Sequence, residues 1–362
     1  MRVLLTGAAG FIGAAIAGNL TMRGHEVVGV DAFIPQAHAA DRPPRAGTRK
    51  LDVREATDLR QVLSGVDVVC HQAAMVGAGA TPADLPLYAS HNDFGTAVLL
   101  AEMAHAGVDK LVLASSMVVY GDGRYSCQTH GVRQPAPRRL RDLDEGRFDV
   151  TCPDCGAELS WQLVDEDAPL VPRSSYAASK VAQEHYSAAW ARQAAGAVIA
   201  LRYHNVYGAG MPQDTPYSGV AAIFRSALER GEAPRVFEDG GQMRDFVHVS
   251  DVAEANALAV EAVMGREGDS LSAYNVCSGQ PISILEVANA VVDGAAGGPT
   301  RSSAGPSAGS RSLPVITGDY RAGDVRHVVA SPRRATAELG FTAAVGPAAG
   351  LAEFAHAPLR AR

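Results

Sequence analysis

Long apolar runs are missing from this chain of 362 residues. No stretch of about 18 apolar residues occurs, so no membrane-spanning helix is expected. The N-terminal "MRVLLTGAAGFIG" has a basic residue and a short apolar run, but glycines interrupt it where a leader would continue. An excess of positive charge is missing too. The 32 Lys and Arg are outnumbered by 39 Asp and Glu, and a net charge of −7 argues against a broad nucleic-acid surface. Cysteine is scarce. Five in the chain exclude a disulfide-built scaffold and fit a cytoplasmic protein. No internal repeat with a period of about 20–50 residues is found.

What is present is an alternation. "RVLLTG", "EVVGVD", "VDVVCHQAA", "KLVLASS" and "VIALRYHNVYG" read as strands, separated by helical stretches such as "AAIAGNLTMRG" and "HNDFGTAVLLAEMAHAG". Strands alternating with helices predict an α/β fold with a parallel sheet buried on both faces. The pattern breaks over residues 121–173, which read as an insert rich in Arg, Asp, Pro and Gly. It resumes with the alanine-rich "SYAASKVAQEHYSAAWARQAAG". From about Met211 the chain is less regular, and the Gly/Ser/Ala/Pro-rich residues 294–312 read as a mobile loop.

"GAAGFIG" places Gly7, Gly10 and Gly13, with Phe11 and Ile12, directly after the first strand and at the start of a helix. Such glycines allow a tight turn, let the backbone approach a pyrophosphate and let helix pack on strand, while the helix N-terminus supplies N–H donors. The second strand ends in Asp31, 18 residues after Gly13. That is near the ~20 expected of a carboxylate that binds a ribose, and it would repel a 2′-phosphate, so NAD is favoured over NADP. "YAASK" puts Tyr176 and Lys180 four residues apart, on one face of a helix. An ammonium near a phenol favours the phenolate and would make Tyr176 a general base. "ASSMVVYG" ends a strand with Ser115 and Ser116, whose hydroxyls face the ligand crevice of a parallel sheet.

The G-x-x-G-x-x-G spacing, taken with these groups, resembles the extended branch of the short-chain dehydrogenase/reductase superfamily over nearly the whole chain. The resemblance implies a Rossmann-type doubly wound sheet over 1–210 and a smaller C-terminal α/β substrate domain formed mainly by 211–362. It implies catalytic roles for Ser116, Tyr176 and Lys180, with Ser115 as a helper near the cofactor. Asp52 and Val53 in "LDVR" would contact adenine, and Gln72, Ala73 and Ala74 in "HQAA" would line the cofactor. Asn92 matches an Asn-x-x-Gly-Thr position, although Asp93 replaces the usual aliphatic residue. Tyr203, His204 and Val206 in "LRYHNVYG" would lie by the nicotinamide, with Asn205 on the substrate phosphate. On the substrate side the resemblance places Val220, Val236 and Phe237 by the base, Arg244 and Arg321 on the diphosphate and Asp324 near the nucleoside ribose.

Within that superfamily the chain looks most like nucleotide-sugar 4-epimerases, the dTDP-L-rhamnose and UDP-hexose enzymes above all. The family's 4,6-dehydratases follow the catalytic Ser/Thr with an Asp-Glu pair, whereas here Ser116 is followed by Met117 and Val118. Elimination of water needs that extra acid and base, so dehydration is disfavoured. The resemblance implies transient oxidation at C4 to a 4-keto sugar and return of the hydride, on a dTDP-6-deoxyhexose such as dTDP-L-rhamnose. A UDP-hexose or UDP-glucuronate 4-epimerase, a net NAD(P)-dependent reductase and a non-catalytic NAD-binding regulator stay open. The helices near Thr96–Gly107 and Tyr176–Gly196 resemble those that pair in family homodimers.

The insert carries two short metal-type knuckles, Cys127-x2-His130 and Cys152-x2-Cys155, with 21 residues between His130 and Cys152. Each ends in glycine, Gly131 and Gly156, which suits a tight turn. The ligand types and spacing suggest a zinc ribbon with a closed, structural zinc. A Cys152–Cys155 redox pair lacks the strand–helix setting it needs, and a metal-free loop is the other alternative. The insert looks too poor in apolar residues for a core of its own, so the metal would supply folding free energy. Cys70 and Cys277 read as buried, unreactive thiols.

Overall fold

The computed structural model describes residues 1–362 except 36–37, 39–46, 78–80, 214–218, 298–312 and 361–362. The expected mobile loop therefore lies, from residue 298 on, outside the described residues. Its first part continues a helix, Ile284–Gly297.

Seven parallel strands form the central sheet: β1 (Arg2–Thr6), β2 (Glu26–Asp31), β3 (Thr48–Lys50), β4 (Val68–His71), β5 (Lys110–Ser116), β6 (Ala197–Tyr203) and β7 (Ser270–Val276). Their order is β7-β6-β5-β4-β1-β2-β3. The order reverses direction at β1, so a crevice opens beyond the carboxyl ends of β1 and β4. Side chains alternate between two cores. Val3 and Leu5 face one side of β1 and Leu4 the other, and Val112 and Leu113 divide the same way on β5. This explains why the strands read as continuous apolar runs rather than alternating ones.

Helices α1 (Phe11–Met22) and α5 (Val249–Val263) cover one face. Helices α2 (Ala56–Leu63), α3 (Gly95–Ala106) and α4 (Ser175–Ala194) cover the other. A π-helical turn, Ala89–Phe94, precedes α3. The boundary expected at residue 210 needs correction. β7 pairs with β6 over its whole length, and α5 packs beneath the sheet, so both belong to the first unit. The chain leaves the sheet after β6 and returns to it, which a boundary drawn along the sequence cannot express. A second core around Tyr207, Phe224, Phe246 and Phe354 forms the smaller unit, while Ala335, Leu339 and Phe341 pack into the core of the sheet.

The insert is ordered. Arg124–Cys127 pairs antiparallel with Gly131–Arg133 on one side and Ser160–Gln162 on the other. Contrary to expectation it has a small core: Tyr125, Cys127, Val150, Cys152 and Leu159 are buried together, with Trp161 packed on them. The apolar residues are few and scattered along the insert, so only the folded pairing brings them together.

Leu111 is fully buried near the start of β5. Leu111→Ala should cost about 2–5 kcal/mol of stability, read as a lowered denaturant midpoint with an unchanged m-value.

Candidate active site and Cys-His cluster

The crevice is a cavity of about 1190 Å³, walled by the strand ends on one side and the smaller unit on the other. That exceeds the usual ~300–1,000 Å³ of a single small-ligand site. Gly7, Gly10, Phe11, Ile12, Gly13, Asp31, Asp52, Val53, Gln72, Ala73, Ala74, Ser115, Ser116, Tyr176, Lys180, Tyr203, His204, Asn205 and Val206 all line it. Val220, Phe237, Arg244, Arg321 and Asp324 line its other wall. Two expected residues stand back from it. Val236 is fully buried in the core of the smaller unit. Asn92 is fully buried in the π-helical turn, accepting from Met75 N at 2.7 Å and donating to Ser179 Oγ at 2.8 Å. Its place is to hold the wall at Met75 rather than to touch a ligand.

At the dinucleotide end the turn is too tight for side chains. A Cβ on Gly13 would lie 2.1 Å from the Gly7 carbonyl oxygen, and Gly7 has φ +66°. Gly10 caps α1, so the first N–H groups of that helix open into the cavity. Asp31 accepts from Ala9 N at 3.0 Å and Phe33 N at 2.9 Å. Burial works against its charge, but hydrogen bonds from His38 and these N–H groups outweigh it and hold the carboxyl below its usual range. A carboxylate that is charged and oriented here suits a ribose diol. His38, whose Nε2 lies 3.3 Å from Asp31 Oδ1, was not found from the sequence, since no motif marks it. Asp52 is paired with Arg54 at 2.6 Å and also faces the cavity.

Ser116, Tyr176 and Lys180 meet at the centre. Ser116 ends β5, and its hydroxyl lies beside the Tyr176 phenol. Lys180 is buried, donates to the Ala114 carbonyl at 2.9 Å and sits 5.9 Å from the Tyr176 ring centre. The expected lysine effect on the phenol needs correction. Burial pushes Tyr176 up to about 12, and only Ser116 pulls it back. The ammonium is turned to a backbone carbonyl, and burial draws Lys180 itself down to about 8.

Beneath the strand ends runs a buried polar chain that sequence reasoning missed. Ser115 donates to Glu184, and Glu184 pairs with Arg202 at 2.8 Å. Arg202 in turn donates to Tyr120 Oη at 2.9 Å. Glu184 lies two turns along α4 from Tyr176, a spacing that could have flagged it. Tyr203 is tied behind the cavity wall to Gln72 and Asn256, each at 2.9 Å. His204 differs: it is 4% exposed, lines the cavity, and neither ring nitrogen has a partner among the described residues. Burial lowers it to about 3, so the imidazole is neutral.

On the far wall the Arg321 guanidinium lies 5.4 Å from the Phe237 ring centre. Arg244 is partly engaged, donating to the carbonyls of Met243, Arg326 and Val325 at 2.7–2.8 Å. An arginine has five N–H groups, which leaves Arg244 two for a ligand.

In the insert, one ligand atom from each of Cys127, His130, Cys152 and Cys155 lies within 4.8 Å of the others. The sulfurs of Cys127 and Cys155 are 3.7 Å apart, and His130 Nδ1 is 3.5 Å from Cys152 Sγ. None of the four lines the cavity. Cys70 and Cys277 are fully buried free thiols, and burial raises both.

The chain matches the NAD dependent epimerase/dehydratase family over residues 3–139 and 156–277. The skipped residues lie in the insert and include Cys152 and Cys155. It is similar to a dTDP-L-rhamnose 4-epimerase of Burkholderia thailandensis, 33% identical over 94% of this chain and 90% of that one. A UDP-glucose 4-epimerase of Mycolicibacterium smegmatis is 31% identical, over 98% of this chain and 97% of its own. Among solved structures, a Thermus thermophilus UDP-glucose 4-epimerase in complex with NAD shares 29% identity and a TM-score of 0.72, covering 98% of both chains. The glycine turn, the Ser-Tyr-Lys group and these likenesses along nearly the full length agree, and the chain belongs to the NAD dependent epimerase/dehydratase family.

Proposed function

We propose that this protein is an isomerase, an NAD-dependent nucleotide-sugar 4-epimerase whose substrate is a dTDP-6-deoxyhexose such as dTDP-L-rhamnose. The observation that carries the reading is Ser116, Tyr176 and Lys180 converging on one cavity, with Met117 in the wall where dehydration would need a carboxylate. The Burkholderia relative supports the dTDP-linked sugar. The UDP-glucose 4-epimerases among the relatives favour a UDP-hexose as the second reading.

The residues fit a dinucleotide: the glycine turn leaves room for a pyrophosphate, and among the described residues the Asp31 carboxylate is paired with no lysine or arginine. Gly7, Gly10, Gly13, Asp31, Asp52 and Val53 would hold it, with Ala73, Ala74 and Lys180 nearer the reacting end. When bound, NAD supplies a hydride acceptor at the sugar C4 and a positive ring charge near Tyr176. Tyr176 takes the proton of the C4 hydroxyl and later returns it. Ser116 orients that hydroxyl and stabilises the phenolate by donating to it. Lys180, whose ammonium rests on the Ala114 carbonyl, would reach the nicotinamide ribose. Among the described residues the ring nitrogens of His204 find no partner, and a bound ligand would offer one to its neutral ring. Asn205, Val220, Phe237, Arg244, Arg321 and Asp324 would hold the nucleoside diphosphate, the arginines by charge and the fork of their N–H groups.

We further propose a structural zinc on Cys127, His130, Cys152 and Cys155. Zn–S bonds of ~2.3 Å in a tetrahedron put sulfurs ~3.8 Å apart, close to the spacing of Cys127 and Cys155. Four protein ligands leave no open position for catalysis. A cytoplasmic homodimer through α3 and α4 fits the exposed Leu85, Phe94 and Tyr186 beside them. Among the described residues no helix is long and apolar enough to cross a membrane.

The purified protein should interconvert dTDP-L-rhamnose and its C4 epimer with no added cofactor and no net change in absorbance at 340 nm. Tyr176→Phe should lower kcat by about 10²–10⁴-fold. Stoichiometric NADH formation would contradict epimerisation, and turnover of UDP-hexoses alone would transfer the reading to them. Metal analysis should find about one zinc per chain, and Cys152→Ser should lose it together with stability of the insert. A fully folded, zinc-free protein would contradict the metal site.

A further inference from the structure

The Cys-His insert stands apart from the catalytic group, yet it grips the segment that carries Arg321 and Asp324. The grip runs through Tyr125, Arg138, Asp149 and Val164. The Tyr125 hydroxyl lies between the backbone N–H of His327, at 3.0 Å, and the carbonyl of the same residue, at 3.4 Å. Arg138 donates to the Asp324 carbonyl and, at 2.7 Å, to Glu238. Asp149 accepts from Arg326 Nε at 2.8 Å. Val164 accepts from Ser331 N and donates to the Val329 carbonyl, both at 2.9 Å.

These contacts bear on the cavity rather than on the surface. Arg321, Asp324 and Val325 line it, and so does Glu238. The carbonyls of Val325 and Arg326 hold Arg244 in place. Glu238 is 2% exposed and has φ +54°, a conformation that a residue with a side chain keeps only when its surroundings enforce it. The enforcement comes from Arg138 of the insert at 2.7 Å and Arg326 at 2.9 Å. Tyr125 belongs to the same small core as Cys127 and Cys152. The tetrad therefore connects to the cavity wall through the buried Tyr125, and the segment carrying the partly buried Arg138 is tied back beside Cys152 by Ala136 N, which donates to the Thr151 carbonyl at 3.1 Å.

We propose that the insert is a positioning element for the nucleotide end of the substrate site: the tetrad fixes Tyr125 and Arg138, and these hold residues 321–327, Glu238 and Arg244 in binding geometry. Arg138 and Tyr125 are positioning residues, acting on the ligand through the segment they clamp. This inference rests on the nucleotide-sugar reading. It assigns the insert to affinity for the nucleotide diphosphate, and neither to cofactor retention nor to proton transfer at Tyr176.

The test is calorimetric titration of the purified, cofactor-loaded protein with dTDP and with UDP. Wild type should bind at least one of them. Arg138→Leu removes a charged hydrogen bond and an ion pair, and should weaken that binding about tenfold or more. Tyr125→Phe, a milder change, should weaken it in the same direction. In both variants the NAD released on denaturation should match wild type, and a rise in substrate KM should exceed any fall in kcat. Affinity equal to wild type in both variants overturns the inference, as does parallel loss of NAD and nucleotide. Wild type binding neither dTDP nor UDP overturns the nucleotide-sugar reading itself.

Discussion

No side chain fits between Gly7 and Gly13. The helix that follows β1 starts so close to the strand that a Cβ on Gly13 would overlap the Gly7 carbonyl. That single steric constraint sets the rest of the site. It brings the N-terminus of α1 over the end of β1, leaves a shelf wide enough for a pyrophosphate, and aims Asp31 of the neighbouring strand at the same space. With the dinucleotide's place fixed at that edge, the reacting end can only fall along β5 and β6, where Ser116, Tyr176, Lys180 and His204 wait.

Second to that constraint is the handling of buried charge. Lys180 has no acidic partner among its hydrogen bonds and rests on a carbonyl, while Arg202 and Glu184 neutralise each other directly beneath Ser115. A buried pair of that kind contributes little net stability, but removing one partner strands the other. Its position below Ser115 gives β5 and α4 one fixed relation, and so holds Ser116 and Tyr176 in a fixed arrangement.

Much of this was legible in the sequence because the signals are local. The glycine turn, the strand-end serines and Tyr176-x-x-x-Lys180 each depend on short spacings that backbone geometry converts into position. The four metal-type ligands were legible for the same reason, as two knuckles with a turn in each. What was not legible depends on distant pairings. β7 joins the sheet only after an excursion through the smaller unit, so a boundary at residue 210 misplaced it. Val236 reads like a cavity residue but turns into the core. Asn92 matches a motif position yet serves Met75 from behind the wall. The rise in the Tyr176 phenol reflects burial, which a helix spacing does not report. The insert's small core and its hold on Arg321 and Asp324 join residues about 200 positions apart, as Tyr125 and His327 do.

The central claim is that a hydride leaves the sugar C4 and returns to the same carbon while the cofactor stays bound. The most direct measurement is turnover of a nucleotide sugar carrying deuterium at C4, in ordinary water, followed by NMR of both epimers. Epimerisation by hydride return leaves the deuterium at C4 in substrate and product alike. Replacement of the C4 deuterium by hydrogen during epimerisation would contradict it.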